Sequence, residues 1–348
     1  MSISFQEYFY KIACLAGLIL FLYYAGPILI PVTFAILIAL IILPLCKWFE
    51  NRKIRREISS FISILLVTLF IGLIVTLLWK QLGKLLGDLS LMQFRLEKLY
   101  DDSLHWVNSN FSSTEPIASE DIKDSSIDMA KESGKSIVSN SILFTTNFFM
   151  NALLTMVYVF LFLIYRGGVR KVILSLTSAS NVQKVSEMIA GISKVGQSYI
   201  SGMGLMLLIL GTCNSGILFL FHIDNFLFLG CLAALMAIVP YIGTTVGAAI
   251  PVVYAYLTTG SISTAFGILI SFWAVQLIES NFLTPKIVGG SLNLNAFASI
   301  VSLIAGGYLW GIPGMILFLP ITAMFRVFCS YYPSLKPVSE LLGQNISK

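Results

Sequence analysis

Gln276-Leu-Ile-Glu-Ser-Asn-Phe-Leu-Thr-Pro-Lys-Ile-Val-Gly-Gly-Ser-Leu-Asn-Leu-Asn295 lies between two long apolar runs, Ile262–Leu277 and Ala296–Phe328. It brings together a carboxylate (Glu279), an ammonium (Lys286) and the amides of Gln276, Asn281, Asn293 and Asn295. Pro285 and the Gly289-Gly290 pair interrupt a regular helix. Ionisable and helix-breaking residues at membrane depth are costly, so they mark a pathway or a binding site. A short polar loop at the membrane surface is the alternative. The sequence on either side decides between them.

Of 348 residues, 57% are hydrophobic and only 11% charged, and the mean hydropathy is +0.88. Soluble domains carry about 25% charge. Several runs reach the roughly 20 apolar residues that span a bilayer as helix, and the ten-residue alternation of a β-barrel is absent. The expected fold class is therefore all-α, a polytopic integral membrane protein in contact with the lipid bilayer. The net charge of +5 comes from basic residues flanking apolar runs, which argues against a nucleic-acid partner. Cys14, Cys46, Cys213, Cys231 and Cys329 lie in or beside apolar segments without CxxC spacing, and His105 and His222 lack a companion at metal-ligand spacing. No metal site or cofactor is expected.

Working outward to the N-terminus, Ile12–Ala25 and Val32–Leu45 are two short apolar runs joined through Gly26-Pro27 and Pro31. Lys47, Arg52, Lys53, Arg55 and Arg56 follow, a cluster that the positive-inside rule places in the cytoplasm. Ile58–Trp79 reads as a third span. From Lys80 to Asn140 the chain is polar and acidic, with Leu82, Leu85, Leu86, Leu89, Met92, Leu96 and Leu99 at helical period, the pattern of a helical appendage outside the cytoplasm. Ile142–Tyr165 is a fourth span. An amphipathic stretch from Val182 to Val195, suited to the membrane surface or the underside of a bundle, precedes a fifth, Gly202–Phe221, with Asn214 in its middle.

Two segments share an unusual design. Phe226–Leu257 is broken by Pro240-Tyr-Ile-Gly243, and Ala296–Phe328 by Gly311-Ile-Pro-Gly314 with Pro320 beyond. Both read as kinked helices or re-entrant hairpins. Paired interrupted segments are a pointer to the binding region of a transporter, and they flank the Glu279 stretch. A carboxylate there can exchange a proton or bind a cation, and amides such as Gln276, Asn281 and Asn293 suit a polar uncharged solute.

Taken in order, Val-Pro240-Tyr-Ile-Gly243, Ile-Glu279-Ser-Asn281-Phe-Leu-Thr-Pro285-Lys-Ile-Val-Gly289, Gly306-Gly307-Tyr-Leu-Trp-Gly311-Ile-Pro313-Gly314 and Leu-Pro320 resemble the autoinducer-2 exporter family of bacterial membrane proteins. The resemblance covers essentially the whole chain and is densest from Tyr199 to Phe328. It implies about eight transmembrane helices, homo-oligomeric assembly and residence in the bacterial inner membrane; the count of spans from the basic loop predicts both termini cytoplasmic. It also implies export of a quorum-sensing signal or Na⁺(Li⁺)/H⁺ antiport. Pro240, Gly243, Pro285, Gly289, Gly311, Pro313, Gly314 and Pro320 would shape the backbone. Glu279, Asn281, Gln276, Asn293, Asn214 and Lys286 form the expected solute- or ion-binding set. Asn295-Ala296 stands where relatives commonly carry a proline, so the local turn is expected to differ.

The chain then divides into N-terminal helices (1–79), a polar extracytoplasmic insertion (80–140), a transmembrane transport core (141–330) and a cytoplasmic tail (331–348). The expected function is a secondary transporter exporting a small polar solute, autoinducer-2-like, with coupling to protons or cations. A Na⁺(Li⁺)/H⁺ antiporter is the first alternative, and a non-transporting scaffold or regulatory protein the alternative from another class. An enzyme is not expected. His-Glu-x-x-His and Gly-x-Ser-x-Gly are absent, and Glu132-Ser-Gly-Lys135-Ser136 lacks the upstream glycine of a P-loop.

Overall fold

Apolar sequence without strand alternation folds as helix, and helix is what the computed structural model shows. It describes residues 5–87, 149–240 and 242–344; the acidic insertion predicted at 80–140 lies outside the described residues from 88 onward. The helices are α1 (Phe5–Tyr24), α2 (Gly26–Glu50), α3 (Arg56–Gly87) and α4 (Phe149–Ser175). They continue as α5 (Val182–Leu220), α6 (Phe226–Met236), α7 (Ile242–Thr259) and α8 (Ile262–Ile278), the last passing into a π-helical segment, Glu279–Gly289. α9 (Ala296–Ser330) and α10 (Lys336–Leu342) complete the chain. Among the described residues seven helices are long and apolar enough to cross a membrane.

Several elements outrun their sequence-derived bounds. Pro27 falls in the first turn of α2, where a missing N–H costs nothing, and Pro31 and Pro44 are carried inside the helix. The short run at 32–45 thereby becomes a full span. The amphipathic stretch at 182–195 and the fifth span are one helix, α5, about 58 Å long at 1.5 Å per residue. No proline separates them. Gly202 does not break the helix because the π segment packs there, and a β-carbon at that position would lie 2.9 Å from the Ile287 carbonyl oxygen.

α5 is the axis of the fold. It packs against α2, α6, α8, α9 and the π segment. Both interrupted segments fold back on themselves beside it. In the first, Gly243 passes so close to the Met236 carbonyl that a β-carbon would collide with it, and Gly247 faces the Ala233 carbonyl. Asn225 Nδ2 donates to the Tyr254 hydroxyl at 3.1 Å and closes the base. In the second, Gly311 adopts φ 62° and ψ −142°, a conformation open to glycine, and α9 reverses there. Its arms meet Gly306 on Gly314, Trp310 on Phe318 (5.3 Å between rings) and Ser302 Oγ on Thr322 Oγ1 (2.8 Å). In a straight helix residues 302 and 322 would stand about 30 Å apart. Both segments are hairpins.

The hairpins approach α5 from opposite ends. Gly230 meets Ser215 and Gly211 meets Ala234, so α6 descends along the C-terminal half of α5. Tyr199 reaches the Ile316 carbonyl, Gly196 meets Met324 and Gly191 meets Val327, so the second arm of α9 runs along the N-terminal half. The tip of the second hairpin is pinned to α1: Trp310 Nε1 donates at 2.9 Å to the Leu22 carbonyl, one of those a helix C-terminus leaves unpaired. Gln81 of α3 accepts from the Phe228 amide at 2.7 Å, holding the start of the first hairpin. On the other side, α2 and α4 share a core of Ala35, Ala39, Ile42, Cys46, Val159 and Leu163. There Arg166 forms an ion pair with Glu50.

Candidate functional site

At Glu279 the hydrogen-bond register widens from α to π. π turns are rare and are frequent at functional sites. Proline in an α-helix clashes with the carbonyl four residues back; the π segment instead carries Pro285 within continuous helical backbone, so Pro285 and Gly289 do not break the chain as the sequence suggested. Both carboxylate oxygens of Glu279 are held. Gln276 Nε2 donates to Oε2 at 2.7 Å, and the Thr284 hydroxyl donates to Oε1. Asn281 turns inward to its own helix, donating to the Leu277 carbonyl at 2.8 Å.

The segment is positioned by α5. Met206 and Leu210 of α5 and Ala234 of α6 form a buried cluster on which Val275, Leu283 and Val288 pack. Above that cluster, α5, the first hairpin and α8 border an open cavity of about 200 Å³. Asn214 lines it from α5 and Gln276 from α8. The amide of Gln276 therefore stands between the cavity and Glu279. Asn214 and Gln276 share the cavity, and Gln276 and Thr284 share Glu279.

Thr284 did not stand out in the sequence. Residues five apart do not share a face of an α-helix, whereas the i→i+5 pattern of a π-helix stacks them. Lys286 is exposed and makes no ion pair with Glu279 among the described residues, whose ion pairs are Glu50–Arg166 and Lys336–Glu340. Asn293 is exposed in the left-handed region (φ 49°), where it ends the short helical turn Gly290–Leu292; its placement there is a backbone one. Asn295 caps α9 by accepting from the Ala298 amide at 2.7 Å, and its Nδ2 binds the Leu341 and Gly343 carbonyls of the C-terminal segment.

Of the backbone-shaping set, Pro240 sits at the tip of the first hairpin, its carbonyl accepting from Ile242. Gly243, Gly311 and Gly314 are required by close approach or by φ, and Pro313 follows the Gly311 reversal. Pro320 is fully buried inside the second arm. Gly289 has an ordinary helical φ of −62° and room for a β-carbon, so nothing in the structure demands glycine there.

A multi-pass helical membrane protein with two opposed helical hairpins, and a held carboxylate at a helix irregularity between them, has the architecture of transporters built on discontinuous helices. Sequence comparison agrees. The chain belongs to the AI-2E transporter family, whose model, described as AI-2E family transporter, matches residues 12–334. YrrI of Bacillus subtilis (strain 168) is 27% identical over 311 residues, covering 88% of this chain and 86% of that protein. YhhT of Escherichia coli (strain K12) is 24% identical over 341 residues, covering 96% and 93%. The AI-2 transport protein TqsA of the same strain is 33% identical over 98 residues, 28% of each chain. The family resemblance carried by the four motifs is borne out.

Proposed function

We propose that this chain is a secondary transporter of the bacterial inner membrane that exports a small polar solute and draws on protons or cations through Glu279. The observation that carries this reading is the fixed carboxylate, bonded on both oxygens by Gln276 and Thr284 at the π segment between two opposed hairpins. A carboxylate whose partners are neutral can take up and release a cation without breaking an ion pair, which is what a coupling step needs. Half-helices that end inside the membrane leave amides and carbonyls free to contact a solute. The name of TqsA, an AI-2 transport protein, supports an autoinducer-2-like solute. A second reading, Na⁺(Li⁺)/H⁺ antiport, draws on the oxygens that Glu279, Thr284 and the Gln276 carbonyl offer a small cation. Asn281, Asn214, Lys286 and Asn293 complete the proposed set; Asn281, Lys286 and Asn293 are exposed side chains.

The test is proteoliposome flux under an imposed pH gradient for wild type and Glu279→Gln, with Na⁺, Li⁺ and a labelled signal-type furanone offered in turn. Flux in wild type that the variant loses supports the assignment. Equal flux in both keeps the transporter and removes Glu279 from it. Failure of the wild type to move any of the three favours the scaffold alternative.

A further inference from the structure

Asn214 is only 8% exposed, in the apolar half of α5, and it borders open space rather than packed side chains. An amide set among apolar walls offers both a donor and acceptors to whatever occupies the space beside it. This one lines the cavity of about 200 Å³ between α5, the first hairpin and α8. Gln276 faces it across the space with its Nε2 committed to Glu279, which leaves the Oε1 acceptor free for the cavity. The remaining walls include Leu210, Ala237, Phe272 and Trp273 with Thr244 and Thr245 of the first hairpin, and among the described residues no charged side chain lines the space. An apolar cavity of about 150 Å³ accepts benzene, so the volume here is that of a small ring, and its polar groups suit a ring with a polar substituent.

We infer that the cavity is a binding site for an uncharged, ring-sized solute with one hydrogen-bonding edge, read by the Asn214 amide. The inference rests on the transporter reading, because it makes the cavity the place where the moving solute pauses. The chemistry of the walls excludes the other occupants. A carboxylate or ammonium would be stripped of water with no counter-charge to meet it. A lipid tail would fill the volume and offer no hydrogen bond to the amides that line it. Trp273, 63% exposed, stands at the rim of the cavity on α8, so the aromatic wall is also the approach. A solute bonded to Gln276 Oε1 fixes the side chain that grips Glu279, which links occupancy of the cavity to the carboxylate.

Benzamide and benzoate, alike in shape and different in charge, are the probes. Isothermal titration on the purified full chain in detergent, with no gradient, should show saturable binding of benzamide and binding of benzoate weaker by at least about tenfold. Asn214→Leu keeps the volume and removes the amide, and should weaken benzamide by about tenfold or more, the worth of one buried hydrogen-bonded group. Ala237→Leu fills the space without touching the amide and should abolish binding. Gel filtration identifies which variants remain folded. No saturable benzamide binding to wild type, equal binding of benzoate, or undiminished binding in a folded variant overturns the site. A chain that binds benzamide yet fails the flux assay sinks the transport reading alone, and flux without benzamide binding sinks the cavity assignment alone.

Discussion

Glu279, Gln276 and Asn281 were legible as residues because polar groups are rare in apolar runs and each one has to be explained. Thr284 was not, because its partnership with Glu279 depends on π geometry, and nothing in a threonine announces it. Lys286 drew notice by its charge alone and proved exposed. If the Thr284 hydroxyl helps to orient the carboxylate, Thr284→Val should lower initial flux by about tenfold, the effect of about 1.4 kcal/mol, while Thr284→Ser restores it. Flux in the valine variant equal to wild type would remove the hydroxyl from the mechanism. The glycines divide by the same physical reasoning. Gly314→Ala sets a methyl against the Gly306 carbonyl and should cost roughly 1–3 kcal/mol of overpacking. Gly289→Ala meets only ordinary contact and should leave the thermal midpoint within a degree or two of wild type or raise it. Scanning fluorimetry of the two purified variants distinguishes them, and equal losses would contradict the close approach described for the second hairpin.

At the scale of elements, proline and glycine revealed where the two long apolar segments are interrupted, but not what the chain does at the break. A kink and a hairpin share that local sequence. The choice is made eight residues apart, where Gly306 lies on Gly314, and twenty residues apart, where Ser302 bonds Thr322. Such contacts exist only after the arms have packed, so no local propensity encodes them. The same holds for α5, whose amphipathic first half and apolar second half look like two elements until α9 is seen to cover Gly191 and Gly196 and the π segment Gly202. A Ser302→Cys, Thr322→Cys pair in a background with the natural cysteines replaced should oxidise to an intramolecular disulfide, detected as a linked peptide by mass spectrometry. A continuous helix would hold those thiols about 30 Å apart and give no linked peptide. Gly311→Ala should cost about 1–3 kcal/mol, because alanine is strained at φ 62°; an unchanged midpoint would mean that α9 does not reverse at this residue.

For the whole molecule, the sidedness of the hairpins follows from chain tracing anchored by charge. Glu50 pairs with Arg166, and Arg56 donates to the Ile164 carbonyl, so α4 ends beside the basic loop between α2 and α3. α5 begins near that face, because residues 176–181 join the two helices directly. The base of the second hairpin lies along the start of α5, and that of the first beyond its end. By the positive-inside rule, Lys47, Arg52, Lys53, Arg55 and Arg56 predict that the shared face is the cytoplasmic one. In a background where the exposed Cys14 and Cys213 are replaced, a membrane-impermeant maleimide should therefore label Ser263→Cys in intact cells. Ser334→Cys and Asn51→Cys should react only after permeabilisation; all three native side chains are exposed. Labelling with the sides exchanged would keep the opposed hairpins and turn the protein over in the membrane. Labelling of Ser263→Cys and Ser334→Cys from one side would mean that the hairpins open on the same face, and a site reached from the two faces in turn could not then be built around Glu279.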